Sequence, residues 1–362
     1  MEQKRLGDIA TYINGYAFKP EDRGSTGLPI IRIQDLTGNA YDLGFYDGKY
    51  PEKIEINDGD VLISWSASLG VYIWNRGKGL LNQHIFKVVF DKCEVNKQYF
   101  VFAVKYKLKE MELKTHGATM KHIVKKDFDN TVIPFPTVEK QADIAYILSK
   151  IESIVEFRKQ ELQQLDDLIK ARFVEMFGDM YLNSKGWPEA KLESMADVVS
   201  GITKGRKTKA EDLTEVPYMA VSNVKDGYID WTTVKTIEAT QQEIEQYRLL
   251  ADDVLMTEGG DPDKVGRGAI IKEPLENCIH QNHIFRVRLD ESMILPEFFA
   301  EYLQHQRSKR YFLGCAKQTT GIASINMTQL RALPVLMPPL SKQEEFVLFK
   351  AQVNKSKLKK LR

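Results

Sequence analysis

Residues 139–177 read EKQADIAYILSKIESIVEFRKQELQQLDDLIKARFVEMF and contain neither proline nor glycine. Steps of four and three residues from Ile144 meet apolar side chains, with Arg158 and Arg172 as interruptions. An apolar stripe with an average period of 3.5 residues is typical of a coiled coil, because it keeps one face against one partner helix. Gly178 follows where a glycine commonly ends a helix. The sequence therefore predicts one helix of roughly 55 Å.

The sequence before this helix returns after it. Both halves contain short β-branched and aromatic runs separated by Gly, Asn and Asp turns, which predicts two strand-rich domains. Five segments recur in one order: 6–15 as 192–201, 29–36 as 217–224, 58–63 as 251–256, 82–88 as 281–287, and 117–136 as 321–338. Each match is weak alone, but five in the same order indicate an internal duplication.

A second helix is predicted at the end of the second half. Pro338-Pro-Leu-Ser-Lys-Gln343 repeats Pro136-Thr-Val-Glu-Lys-Gln141, and Ser341 to Glu344 has the pattern of a capping box. We expect the two helices to bury each other's stripes, most simply antiparallel. The predicted seam consists of Ile144, Leu148, Ile151, Val155, Leu162, Leu165, Ile169, Val347, Ala351 and Leu358. The predicted fold is thus α+β, with two similar strand-rich domains separated by two long helices that form an antiparallel coiled coil.

Composition and missing motifs narrow the class of protein. The net charge is +1, and 43% of residues are hydrophobic. Cys93, Cys278 and Cys315 form no Cys-x-x-Cys pair, which predicts reduced thiols in a cytoplasmic protein. No apolar run indicates a membrane span. The glycine-rich segment 259–268 lacks the Gly-Lys-Ser/Thr of a P-loop, and we expect no catalytic residue and no metal site.

Several motifs carry a resemblance to a known family. They are Leu6-Gly-Asp-Ile-Ala10, Asp58-Gly-Asp-Val-Leu62, Asn82-Gln-His-Ile85, Pro136 with Gln141-x-x-Ile144, and Phe173-x-x-Met-Phe-Gly-Asp179. Together they resemble the specificity subunit of type I restriction–modification enzymes over nearly the whole chain. The second helix departs from that pattern, because it has roughly half the length of the first.

The resemblance implies both a domain plan and partners. Residues 1–137 would be the first target-recognition domain, 138–178 the central spacer helix, 184–340 the second target-recognition domain, and 341–362 a short C-terminal spacer helix. Each domain would read one half of a bipartite, asymmetric site in double-stranded DNA. The helices would set the gap and dock two modification subunits, which methylate adenine using S-adenosylmethionine. A separate restriction subunit would cut, and this chain would need no cofactor of its own.

Candidate DNA-contacting residues are polar and basic side chains on glycine-flanked loops, which can bond to base edges or phosphates. In the first half these are Lys19, Arg23, Arg32, Gln34, Ser64, Ser66, Arg76, Thr119, Lys121 and His122. In the second half they are Lys204, Arg206, Lys207, Asn223, Lys264, Arg267, Lys317, Gln318, Thr319 and Thr320. The alternative for any one of them is an ordinary solvated surface residue.

Two further features have open interpretations. His84 and His283 recur just before equivalent strands, either at a DNA-facing edge or in a structural hydrogen-bond cluster. Trp65 either stacks on a base or belongs to the core. Two other functions also remain: a self-contained restriction or methylation enzyme, which would need catalytic motifs, and a coiled-coil adaptor that does not bind DNA.

Overall fold

The computed structural model describes residues 2–39, 42–114, 123–206, 212–261, 265–319 and 322–361. The chain divides into two compact units, residues 1–157 and 158–362. The division falls within the long helix. In the described part of the chain, no helix combines the length and the apolar character needed to cross a membrane.

The first unit is built from short strands and five helices within its described residues. Its strands are β1 (Gln3–Arg5), β2 (Thr11–Asn14), β3 (Leu28–Ile31), β4 (Phe45–Tyr46), β5 (Glu55–Ile56), β6 (Val61–Ser64), β7 (Gly70–Ile73), β8 (Gly79–Leu81), β9 (Ile85–Val89) and β10 (Val132–Pro134). Its helices are α1 (Leu6–Ile9), α2 (Ile33–Thr37), α3 (Lys97–Lys114), α4 (Lys125–Asp129) and the first half of α5 (Val138–Phe177).

The second unit repeats this plan after the end of α5. Its strands are β11 (Glu189–Lys191), β12 (Ala196–Ser200), β13 (Thr214–Met219), β14 (Lys235–Ala239), β15 (Val254–Thr257), β16 (Gly259–Gly260), β17 (Gly268–Ile270), β18 (Ile279–His280), β19 (Ile284–Leu289), β20 (Lys317–Thr319), β21 (Ile322–Ser324) and β22 (Pro334–Leu336). Its helices are α6 (Gln241–Tyr247), α7 (Pro296–Tyr302), α8 (Gln306–Cys315), α9 (Met327–Arg331) and α10 (Leu340–Leu361).

The sheets of the two units have the same topology, as the internal duplication predicts. The order β2-β9-β6-β7 in the first unit matches β12-β19-β15-β17 in the second. In both units a parallel pair of strands lies beside this sheet, β3 with β8 in the first unit and β13 with β18 in the second. The second strand of each pair is followed directly by the recurring histidine segment, 82–84 or 281–283. Strand β3 ends at Ile31 because α2 begins two residues later, where Asp35 caps it by accepting from the Arg32 backbone N–H at 2.8 Å.

One glycine in each unit is required because two segments of the backbone approach each other closely. A Cβ on Gly15 would lie 2.0 Å from the Asn82 carbonyl oxygen, and one on Gly201 would lie 1.9 Å from that of His280. Any side chain would clash with backbone that cannot rotate away. The paired glycines, at matching places in the two repeats, therefore explain why residue 15 returns as residue 201.

The long helix α5 confirms the predicted helix at 139–177 almost to the residue. It spans Val138–Phe177 and ends at Gly178, whose φ of +79° is the left-handed conformation of a helix-ending glycine. Within the first unit, Gln141 and Ala145 face the domain and are buried. Along residues 151–160 every side chain is exposed.

In the second unit, α10 packs antiparallel against residues 158–177 of α5. Arg172 pairs with Glu345 at 2.8 Å, and Lys357 pairs with Asp166, so position rises along one helix as it falls along the other. The Phe173 and Phe346 rings meet edge to face, with centroids 5.1 Å apart. The antiparallel arrangement is thus present here.

The predicted seam needs correction on α10. Among the described side chains of α10, Phe346 and Val353 are the buried apolar ones, whereas Val347 is half-buried and Ala351 is exposed. The buried face is displaced because the larger Phe346 ring fills the space beside Phe173, and α10 also begins one residue earlier than predicted, at Leu340. The side chain of Leu358 lies outside the described residues. On α5, Ile169 is buried, Ile144, Leu148, Leu162 and Leu165 are half-buried, and Ile151 and Val155 are 51% and 49% exposed.

A buried glutamine joins each long helix to its own domain. The Gln141 amide accepts from the Asn96 backbone N–H at 2.9 Å and donates to the Pro136 carbonyl at 2.8 Å. The Gln343 amide accepts from Leu295 N–H at 2.8 Å and donates to the Pro338 carbonyl at 2.8 Å. Both side chains are fully buried, and a buried amide is stable only when its polar atoms are paired.

The corrected seam predicts a large loss of stability at one apolar residue of α10 and almost none at a nearby one. Phe346→Ala should lower the free energy of unfolding by about 3–5 kcal/mol, because it leaves a cavity in a packed core. Leu348→Ala is the matched control, since Leu348 is 66% exposed and its truncation should change stability by less than about 0.5 kcal/mol. Thermal and denaturant unfolding measure both. Equal effects would show that the assigned face is wrong.

The second unit should also be sensitive to acid through His280. This ring is fully buried, and burial lowers its pKa to about 4. The folded protein holds the ring in its neutral form, whereas the unfolded chain allows it to be protonated. The contribution of His280 to the free energy of unfolding is therefore complete above pH 6.5 and is lost as the pH falls towards 4, by about 2–3 kcal/mol at pH 4.5. Leu81 stands at the equivalent position of the first unit and is also buried.

His280→Leu should therefore flatten this acid dependence, even if it lowers stability at neutral pH. The measurement is denaturant unfolding of the wild type and the variant from pH 7.5 to 4.5. Parallel pH profiles for the two proteins would contradict the assignment.

Candidate nucleic-acid interface

In the first unit, three backbone segments meet at one end of the sheet. The Trp65 N–H donates to the His84 carbonyl at 3.2 Å, and the Ile123 N–H donates to the Trp65 carbonyl at 2.9 Å. The Gln83 N–H donates to the Tyr16 carbonyl at 2.8 Å. We name residues 14–16, 65–66 and 82–84 the first edge.

The second unit forms the same crossing with other side chains. The Glu258 N–H donates to the His283 carbonyl at 3.0 Å, and the Ile325 N–H donates to the Glu258 carbonyl at 2.8 Å. The Asn282 N–H donates to the Ile202 carbonyl at 3.0 Å. We name residues 200–204, 258–260, 281–283 and 317 the second edge. Lys317 belongs to it because Lys317 and Gly259 both pair with Ser324, on opposite sides of the central strand of the β16-β21-β20 sheet.

The first edge is aromatic. The Trp65 ring stacks on Phe86 with centroids 5.6 Å apart and meets His84 edge to face at 4.9 Å. Its indole N–H donates to the Asn14 side-chain oxygen at 3.2 Å. The structure therefore favours the core interpretation for one face of Trp65, and it gives the ring a fixed orientation at the edge.

The second edge is polar. His283 is exposed, and its Nδ1 lies 2.5 Å from Glu258 Oε2. Lys204 and Lys317 are exposed, and within the described part of the chain neither has an ion pair. Arg267 is half-buried and lies beside this edge, because its carbonyl accepts from the Thr257 N–H at 3.1 Å.

Two predicted contact residues are structural, and we correct their assignment. Ser64 is fully buried and donates to the Ser68 carbonyl at 2.5 Å. Asn223 is fully buried, accepts from the Ala220 N–H at 2.9 Å and donates to the Asp230 carbonyl at 2.9 Å. A side chain with these partners has no face left for DNA. Both residues looked exposed in the sequence, because Ser64 comes just before a Ser-rich bend and Asn223 lies in a short turn after β13.

The predicted arginines are mostly held by carboxylates or carbonyls. Arg206 binds both oxygens of Glu243, at 2.6 and 2.5 Å, and these bonds lower the pKa of Glu243. Arg32 binds Asp35 at 3.1 Å, which raises the pKa of Arg32. These two guanidinium groups shape the scaffold more readily than they contact DNA.

Of the remaining described first-half candidates, one belongs to the residues that define the first edge. Arg23 pairs with Asp42 at 2.9 Å, and Arg76 donates to the Asp35 carbonyl at 2.7 Å while stacking on Trp74. Lys19 is exposed and lies 3.9 Å from Glu21, Gln34 is exposed, and Ser66 is half-buried on the first edge itself.

Eight predicted residues cannot be placed by their side chains. Thr119, Lys121, His122, Lys207, Lys264 and Thr320 lie outside the described residues. Gln318 and Thr319 belong to β20, but their side chains also lie outside the described part. Elsewhere, across the described ranges, no three His, Cys, Asp or Glu side chains form a group able to hold a metal ion.

Glu258 is a residue that sequence reasoning missed. Its signal was present, because aligning the Asp60-Val-Leu and Asp253-Val-Leu strands places Trp65 opposite Glu258. Only the backbone hydrogen bonds of Trp65 to His84 and of Glu258 to His283 show that this position lies at an edge.

Arg206, which is paired with a carboxylate, and Lys204, which is exposed, should differ in their effect on stability. Arg206→Gln should lower the free energy of unfolding by about 1–2 kcal/mol, since it leaves the partly buried Glu243 carboxylate without its bidentate partner. Lys204→Gln, two residues away and exposed, should have an effect below about 0.5 kcal/mol. Unfolding midpoints of both variants test this. A larger loss in the Lys204 variant would reverse the division proposed between scaffold and surface.

Comparison with known proteins also finds one kind of domain twice in this chain. The sequence profile of the type I restriction modification DNA specificity domain matches residues 1–167 and again 184–360. The chain is similar to the type I restriction enzyme EcoBI specificity subunit of Escherichia coli, with 22% identity over 370 residues, covering 94% of this chain and 77% of the relative. It is 24% identical over 375 residues to the EcoKI specificity subunit of Escherichia coli strain K12, covering 94% and 79%.

Two solved structures share the fold. The S subunit of a type I restriction–modification system from M. genitalium has a TM-score of 0.54 and 14% identity, covering 99% of this chain and 90% of that one. A chain solved in work on complex assembly and conformational transition of the type I system has a TM-score of 0.55 and 15% identity, with the same coverage. With two profile matches spanning nearly all of its length, the chain belongs to the type I restriction–modification DNA specificity family.

Proposed function

We propose that this chain is the DNA-recognition subunit of a type I restriction–modification enzyme, with one half-site read by each domain. The observation that carries the proposal is the repeated edge. The same backbone crossing occurs at Trp65 with His84 and at Glu258 with His283, yet the side chains differ. Two copies of one scaffold with different surfaces are suited to reading an asymmetric, two-part sequence.

The chemistry of the edges supports contact with DNA. Exposed lysines such as Lys204 and Lys317 provide positive charge for phosphates, and these contacts position a protein without selecting sequence. Asn282, His283 and Glu258 offer donors and acceptors of the kind that distinguish base pairs in the major groove.

The helices support a role as spacer. The 40 residues of α5 correspond to about 60 Å at 1.5 Å per residue, and 60 Å is roughly 18 base-pair steps of 3.4 Å. We propose that helix length sets a non-specific gap between the half-sites. The apolar side chains that α5 exposes, among them Ile147, Ile151 and Ile154, are a surface on which modification subunits can dock.

The proposal assigns all chemistry to partners. Two modification subunits would bind S-adenosylmethionine and methylate adenine, and a restriction subunit would cleave, so this chain would be non-catalytic and would carry no cofactor. The complex would act on double-stranded DNA in the cytoplasm. Support for this division comes from the family.

The test is co-expression with the cognate modification subunit, followed by mapping of methylated adenines across a genome. We expect one bipartite motif with a fixed gap, present only when both proteins are expressed. DNA binding by the complex should weaken steeply with salt, by roughly one log unit of affinity per log unit of salt for each phosphate contact. Methylation or cleavage by this chain alone would refute the proposal, as would a motif without a gap.

A further inference from the structure

The two edges differ in chemistry at one equivalent position. Trp65 and Glu258 have the same backbone partners, since each donates to the carbonyl of the recurring histidine and accepts from Ile123 or Ile325. Position 65 presents an aromatic ring, and position 258 presents a carboxylate. Because the backbone is shared, the difference in side chain is the difference in what each edge can recognise.

The Glu258 carboxylate is held in place but not fully used. Its Oε2 is 2.5 Å from His283 Nδ1, while its Oε1 accepts no hydrogen bond from any of the described residues. Its side chain is 35% exposed. A carboxylate can accept about four hydrogen bonds, so one oxygen is fixed by the protein and the other is available to a ligand.

A carboxylate at a DNA surface is selective because of its charge. Phosphates repel it, and burying it against DNA without a partner costs free energy. The groups that relieve this cost are donors, and in the major groove these are the N4 amino group of cytosine and the N6 amino group of adenine. Lys204 and Lys317, on the same edge, supply the opposite charge that keeps phosphates close.

Trp65 cannot perform this selection. Its indole N–H already donates to Asn14 Oδ1 at 3.2 Å, and one ring face is covered by Phe86. What remains is an apolar surface without an acceptor. The first edge therefore has no means at this position of requiring an amino group.

We propose that Glu258 is a specificity-determining residue of the second domain, accepting a hydrogen bond from the exocyclic amino group of one cytosine or adenine in its half-site. His283 orients the carboxylate, and Trp65 leaves the first half-site without this requirement. The inference rests on the proposed function and extends it to a single residue and a single chemical group.

The first test maps methylated adenines for the wild type, Glu258→Leu and Glu291→Leu, each co-expressed with the modification subunit. Leucine has no acceptor, whereas glutamine would keep one. Glu291 is an exposed glutamate of the same unit, so its variant controls for the change of charge and side chain. We expect Glu258→Leu to relax one base position of one half-site, lowering its preference by roughly 5- to 100-fold, with the other half-site and the gap unchanged. Glu291→Leu should give the wild-type motif.

The second test removes the amino group from the DNA instead of the carboxylate from the protein. Purine replaces each adenine of the second half-site in turn, and a pyrimidinone without the 4-amino group replaces each cytosine. Affinity is measured with the purified complex of each protein. At one position the wild type should lose roughly 10-fold or more in affinity, and Glu258→Leu should lose nothing further. This measurement decides the matter even if the variant no longer supports methylation.

The outcomes separate the inference from the proposed function. If the wild type yields a bipartite motif but both proteins respond equally to every base analogue, Glu258 does not read an amino group and the inference fails alone. If the wild type yields no bipartite motif, the proposed function fails and the inference fails with it. Coupling between Glu258 and one amino group supports both.

Discussion

Burial of one glutamine amide at the start of each long helix is the constraint on which the architecture depends. Gln141 and Gln343 each connect a backbone N–H of the domain to a carbonyl of the segment that precedes the helix. Loss of either partner would leave a buried polar group unpaired, at a cost of about 1–3 kcal/mol. Each helix is therefore fixed to its own sheet, and the edge that the sheet carries is fixed with it.

The cations of this chain divide into two groups by their partners. Arg32, Arg206 and Arg288 bind carboxylates in partly buried positions, where a planar guanidinium with several donors forms two bonds at once. Lys204 and Lys317 remain in water at the second edge. Among these five residues the arginines hold the scaffold together and the lysines carry surface charge. Counting basic residues in a loop does not distinguish the two uses.

Much of the fold could be predicted because its signals are periodic or repeated. The 4-3 spacing of α5 and the order of the five recurring segments are independent of detailed packing, and both correspond to what the structure contains. The seam on α10 was displaced because the heptad rhythm passes through Val347 and Ala351, while the bulk of Phe346 decides which face is buried. Periodicity alone does not weigh side-chain size.

The candidate site was harder to predict, since exposure depends on hydrogen bonds between distant segments. Asn223 lies in a turn-like sequence, but its side chain is already hydrogen-bonded to the Ala220 N–H and the Asp230 carbonyl. Glu258 carries an acidic charge that a search for DNA contacts passes over. Its position became meaningful only through its backbone bond to His283, 25 residues away in sequence.

The pairing of the first and last strands of each domain has a consequence for the order of the chain. Gln3–Arg5 lies antiparallel beside Val132–Pro134, and Glu189–Lys191 lies antiparallel beside Pro334–Leu336. Neighbouring strands are about 5 Å apart, so each domain is entered and left at the same point. A short connection between those two strands would permit circular permutation, with new termini in a surface loop and every internal contact of the domain preserved.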